Sequence, residues 1–239
     1  MQHNRLTING LLTLHTGTLP DTGFHRHGAM ILLVSMARDL TVELDNGQQF
    51  SSGSILVDAG VKHRLLSSNE PFCGLYVEGT AELVRALRFR YLSREPVACD
   101  ILSTARTQSI ARYPQQLFEL ESWLLQAVRE PIHIDSRILR ATHLADASLS
   151  IATVAHTLHL SESRFSHLFK QEMSVSFKHY RLWRQANRFI RTLPDNCTLT
   201  RHAHESGFFD ASHLSHSFRK LIGLSPSEIL NSYSRIERC

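Results

Sequence analysis

The chain has 239 residues, of which 42% are hydrophobic and 20% charged, with a formal net charge of +4. That length allows two domains with cores of their own, and the composition is that of an ordinary globular protein. No uninterrupted apolar run approaches the roughly 20 residues of a membrane span, which excludes a helical membrane protein.

The N-terminal MQHNRLTING has no basic region leading into an apolar core, so a cytoplasmic protein is expected. Cys73, Cys99, Cys197 and Cys239 are spaced for neither a disulfide framework nor a zinc site. From Arg5 to Val77 the pattern is that of β structure. Short apolar runs at Leu11–Leu14, Met30–Met36, Leu40–Leu44, Ile55–Val57 and Leu75–Val77 are separated by turn residues. Asp45-Asn46-Gly47 marks a hairpin, and many short strands predict a sandwich or barrel. His25-Arg26-His27 before a strand, and Ser52-Gly53, Ile55-Leu56-Val57, Gly60-Val61 and His63 further on, resemble the two motifs of the cupin barrel. Three imidazoles suit a transition metal. A metal cupin would usually add a carboxylate four or five residues after the second histidine, where Ile31 and Leu32 stand instead. Ala59 replaces a usual proline, and Ser67 stands where asparagine is common. No metal and no cofactor is therefore expected. His25, His27 and His63 are read as an effector pocket, against the plainer reading of loop histidines that satisfy the backbone.

From Thr80 the pattern becomes helical. Thr80 can cap a helix through Leu92, with Leu83, Ala86, Leu87 and Tyr91 on one side. Residues 93–112, with Pro96, read as a connector with room for a short helix. Pro114 starts a helix reaching Arg129 with the stripe Leu117, Leu120, Leu124 and Ala127, suited to dimerisation or to packing on its own barrel. Pro131 ends it. Ser136 is expected to cap a helix over Arg137–Ala145.

Two copies of one unit follow. Ser150 caps a short helix, Ile151–Leu158; a tight turn leads to Ser161–Met173, whose apolar stripe is Phe165, Leu168, Phe169 and Met173. Its open face carries Ser163, Ser166, His167 and Lys170. Forty-nine positions on, these become Ser212, Ser215, His216 and Arg219 in Ala211–Ile222, while Phe165 and Phe169 become Leu214 and Phe218. Asp210 caps this second helix, Gly223 stops it, and Ser225-Pro226 opens another. A short helix capped by Thr198 or Thr200 precedes it and stops at Gly207. Between the units, 176–193 is long enough for about five helical turns. Helix, tight turn and helix with a polar outer face is the plan whose second helix enters the DNA major groove. Charge agrees. Residues 1–136 hold 12 Lys and Arg against 14 Asp and Glu, whereas 137–239 hold 14 against 8.

This double unit, its connecting helix and the closing GFFDASHLSHSFRKLIGLSPSE resemble the DNA-binding domain of the arabinose-regulator (AraC/XylS) family. His202 and His159 depart from it, standing where an aliphatic core residue and a turn glycine are usual. The resemblance implies an α+β, two-domain chain. A cupin-like sensor barrel spans 1–79, a helical linker 80–131, and an all-α double helix-turn-helix domain 136–239. Base edges would be read by Ser163, Ser166, His167, Ala211, Ser212, Ser215 and His216. Phosphates would be held by Lys170, Arg181, Arg184, Arg219 and Lys220. Implied partners are double-stranded DNA, a small effector, a second copy through 114–129, and RNA polymerase if the regulator activates. No catalytic residue is expected. The competing readings are a metal-dependent cupin enzyme with a helical appendage and a helical protein-interaction module.

Overall fold

The computed structural model describes residues 4–10, 12–66, 70–80, 82–119, 134–146, 149–192 and 199–238. Its N-terminal half is built from strands β1 (Asn4–Asn9), β2 (Leu12–Gly17), β3 (Ala29–Ser35), β4 (Leu40–Leu44), β5 (Gln49–Ser52), β6 (Ser54–Val57), β7 (His63–Leu66), β8 (Phe72–Glu78) and β9 (Val97–Cys99). The chain's closing segment, β10 (Tyr233–Arg238), returns to this half. One sheet has the order β10-β1-β2-β8-β3-β6-β9, and a smaller one β5-β4-β7. The expected hairpin joins β4 to β5, with Gly47 at φ 84° making the turn.

Alternation explains how the larger sheet is covered on both sides. Along β3, Ile31 and Leu33 face the interior between the sheets, while Met30, Leu32 and Val34 face outward. The outward layer is closed by α1 (Glu82–Leu87), the single π-helical turn Arg88–Leu92, α2 (Thr104–Arg112) and the 3₁₀ turn Pro114–Glu119, through Val84, Leu87, Ile110 and Leu117. Leu117 thus packs on the larger sheet of its own chain. The rest of the expected 114–129 helix lies outside the described residues.

The C-terminal half runs through α3 (Ser136–Leu144), α4 (Ile151–Thr157), α5 (Glu162–Met173), α6 (Phe177–Arg191), α7 (Leu199–Glu205), α8 (Ala211–Ile222) and α9 (Pro226–Ser232). Local chemistry sets most ends. Ser150, Ser161, Ser176, Asp210 and Ser225 each accept a hydrogen bond from the backbone N–H three residues on, and Ser225 and Glu228 close a capping box. Phe165, Phe169, Phe177 and Tyr180 form one core around the first unit.

Three expectations need correcting. Asp135, not Ser136, caps α3, because its carboxylate accepts from the Arg137 N–H. The sheet continues past residue 79, since β9 pairs antiparallel with β6. The C-terminal half is not all helical, because β10 pairs parallel with β1.

Candidate nucleic-acid interface

α5 and α8 present their polar faces as the repeat predicts. Burying Phe165, Leu168, Phe169 and Met173 turns Ser163, Ser166, His167 and Lys170 outward, all exposed. Burying Leu214, Phe218 and Leu221 likewise exposes Ser212, His216, Arg219 and Lys220, with Ala211 and Ser215 half-buried. Between the two helices lies an open groove lined by Lys170 from α5, Lys178 and Arg181 from α6, and His213, His216 and Lys220 from α8. Arg26, from the segment leading into β3, completes its rim. Cations from three helices therefore converge on one concavity, which attracts a polyanion. Lys178, His213 and Arg26 were missed in the sequence because each lies off the two repeated faces and only the tertiary packing shows the groove they share.

Arg184 does not join them. It sits between Asp146 at 2.6 Å and the buried Glu78 at 3.4 Å, while Arg188 holds Asp146 at 2.8 Å. Burial raises the Glu78 carboxyl, with the Arg184 charge acting against it. The expectation that Arg184 holds phosphate is corrected, because its guanidinium fastens α6 to the end of β8 and to the turn after α3. Arg181 lines the groove while donating to the Leu149 carbonyl at 2.7 Å.

Both polar helices end against the N-terminal half. At the end of α8, Gly23 N–H donates to Gly223 O at 3.3 Å and Arg26 N–H to Lys220 O at 3.0 Å. At the end of α5, Ser174 Oγ donates to Asp58 at 3.1 Å, and Arg88 bridges Asp58 to the Glu172 carbonyl. α6 lies on the interior between the two sheets through Trp183, Ala186 and Ile190, next to Leu6, Ile8 and Ile31.

His25, His27 and His63 meet in that interior, all buried. Burial lowers the pKa of His25 to about 3 and of His63 to about 4, and holds His27 well below its ordinary value, so all three rings are neutral.

Residues 154–232 match the family described as Helix-turn-helix domain. The arabinose operon regulatory protein of Escherichia coli (strain K12) is 35% identical over 118 residues, covering 44% of this chain and 38% of that protein. Its Salmonella typhimurium (strain LT2) counterpart is 36% identical over 126 residues, covering 46% and 43%. The chain thus matches less than half the length of these relatives. Among solved structures, ToxT from Vibrio cholerae aligns over 94% of this chain and 100% of its own, with TM-score 0.63 and 10% identity. A ToxT structure described as bound to unsaturated fatty acid aligns over 98% of both chains, with TM-score 0.59 and 14% identity. The ToxT likeness gives the fold, a sheet-rich N-terminal domain followed by a helical one. The matched domain, the repeated polar faces and these relatives together make 154–232 a helix-turn-helix domain similar to that of the arabinose operon regulators.

Proposed function

We propose that the protein is a sequence-specific DNA-binding transcription regulator whose N-terminal half passes on the binding of a small effector. One observation carries the reading. Two helices repeat the same open-face chemistry, both faces are exposed, and the groove between them is basic. Ser163, Ser166 and His167, with Ala211, Ser212, Ser215 and His216, read base edges from neighbouring major-groove segments. Lys170, Arg181, Arg219 and Lys220 hold phosphates, joined by Lys178. Serine and histidine make single rather than bidentate contacts, so discrimination is near the lower end of ~1–3 kcal/mol per base pair.

The N-terminal sheets are read as a short cupin-like barrel, the helices after them as a linker, and the remainder as two helix-turn-helix units joined by α6. The contacts at the ends of α5 and α8 support a mechanical route from barrel to reading heads. That a structural neighbour is described with a fatty acid bound supports a ligand-responsive N-terminal half. Contact with RNA polymerase would follow if the regulator activates. Selection of bound sequences from random duplex DNA with the purified protein tests the reading. A defined motif bound with steep salt dependence is expected; recovery of no motif, with binding insensitive to salt, would overturn it.

A further inference from the structure

Three imidazoles from two segments converge beneath the last turn of α8. The ring centroids of His25 and His27, His25 and His63, and His27 and His63 are 4.5, 4.5 and 5.0 Å apart. One ligand nitrogen from each lies within 4.8 Å of the others. Zinc–nitrogen bonds of about 2.0–2.1 Å in tetrahedral geometry put two ligands of one ion about 3.3–3.4 Å apart, so closure needs each ring to move by less than about 1 Å.

Hydrogen bonding already sets most of the protons. His25 Nδ1 is 2.7 Å from the Gly23 carbonyl, and His63 Nδ1 is 2.9 Å from the Val61 carbonyl. A carbonyl only accepts, so both Nδ1 atoms carry hydrogen and both Nε2 atoms keep a lone pair. This is how metal-binding histidines are oriented by their outer partners. His27 Nε2 lies 3.1 Å from His25 Nε2 and must therefore donate to it, which leaves His27 Nδ1 buried with no hydrogen-bond partner. A cation taking all three Nε2 lone pairs removes that conflict. The His27 proton then moves to Nδ1, with the Leu221 carbonyl beside the ring.

Size and lining narrow the ligand. The cavity at the three rings measures about 20 Å³ and is otherwise lined by Leu19, Ile31, Leu33, Leu65 and their neighbours. That is room for about one water-sized sphere and not for an organic molecule. Neutral nitrogen ligands without a carboxylate suit zinc, cobalt, nickel or copper rather than magnesium or calcium.

We propose that His25, His27 and His63 bind one divalent late first-row transition-metal ion, and that this ion is an effector acting on both DNA-reading helices. The second half of the statement rests on the DNA-binding reading above; the first does not. The coupling is short. The segment carrying His25 bonds to the end of α8 through Gly23 and Arg26. The His27 carbonyl accepts from the Gly60 N–H at 2.9 Å, in the turn whose Asp58 holds the end of α5. An ion joining His25 and His27 to His63 therefore braces both attachments at once.

The test is titration of the chelator-stripped full chain with Co²⁺ and then Zn²⁺. Expected are one ion per chain, the visible absorption of tetrahedral cobalt, displacement by zinc, and histidine nitrogens in the zinc X-ray absorption spectrum. Dissociation constants should fall at or below about 1 μM. His27→Gln and His63→Gln should each weaken binding at least tenfold. His15→Gln, at a buried histidine outside the cluster, should not. Should the cluster variants fail to fold, the wild-type spectra decide alone. Binding weaker than about 100 μM, or a ligand shell without histidine, overturns the site. Affinity for a selected duplex is then measured with and without saturating Zn²⁺. A change of fivefold or more supports the effector role, and an unchanged affinity with zinc bound removes it. Salt-dependent binding by the metal-free protein keeps the DNA reading separate from either result.

Discussion

His159 and Ser174 show how a repeat conserves backbone shape while its residues change. Both have left-handed backbone, at φ 54° and 61°, and Gly207 and Gly223 play the same parts in the second unit at 89° and 81°. A side chain at Gly223 would stand 2.7 Å from His25 Nδ1, whereas Ser174 uses its hydroxyl to hold Asp58. His159 is exposed, and its side chain makes no hydrogen bond that offsets the left-handed strain of roughly 1–2 kcal/mol. His159→Gly should therefore stabilise the protein by about 0.5–1 kcal/mol, after the extra freedom of glycine in the unfolded chain is subtracted. A urea midpoint that falls would contradict this. His15 makes a second case. It is buried between Phe72 and Tyr233, with Nδ1 2.8 Å from the tyrosine hydroxyl, and burial lowers its pKa from 6.5 to about 3. Its folded pKa is depressed, so the unfolded chain binds the extra proton as pH falls below 6.5. Stability is then lost progressively down to about pH 3, at about 1.4 kcal/mol per pH unit for this one group. His15→Gln should flatten that slope between pH 6 and 4, and an unaltered slope would assign the acid sensitivity to other groups.

Among the elements, the helices were legible because their signals are local. Asp210, Ser161 and Ser225 cap where the sequence places them, and the 3.6-residue stripes bury Phe165, Phe169, Leu214 and Phe218 as expected. β9 and β10 were not legible. The first is a three-residue strand, and the second pairs with the opposite end of the chain, so nothing nearby announces either. Arg184 was misread for the same reason, since its carboxylate partners come from distant segments. The histidine trio was legible as residues but not as a converging set, because only the meeting of His25 with His63 across a single β-bridge assembles it. On the proposed function, the two exposed helices divide their work by position. His216 on α8 faces outward, and His216→Ala should relax preference at one or two base positions while nonspecific binding stays nearly intact. Equal loss across all sequences would deny it a reading role. Lys170, exposed on α5, should act uniformly: Lys170→Ala weakens binding to every duplex and lowers the salt slope by about one unit. A wild-type slope would remove it from the phosphate set.

For the whole molecule the decisive feature is that the interior between the two sheets and the second helix-turn-helix unit share one core. Trp183, Ala186, Phe189, Phe208 and Phe218 belong to the same contiguous cluster as Leu6, Ile31, Val42 and Leu65. Removing either half would bare the apolar face that the other covers, so the two should not melt independently. Gly28 is the closest approach: a methyl there would lie 2.3 Å from Trp183 Cβ and 2.5 Å from Cγ. Both neighbours belong to a buried tryptophan on a long helix, which cannot yield without moving α6. Gly28→Ala should therefore cost about 1–3 kcal/mol by overpacking. Because the loss falls on a shared core, far-ultraviolet dichroism and Trp fluorescence should shift together to a lower urea midpoint in one transition. A variant in which the helical signal keeps its wild-type midpoint while the sheet signal moves would mean that the halves fold alone, and that the contacts at the ends of α5 and α8 carry no force between them.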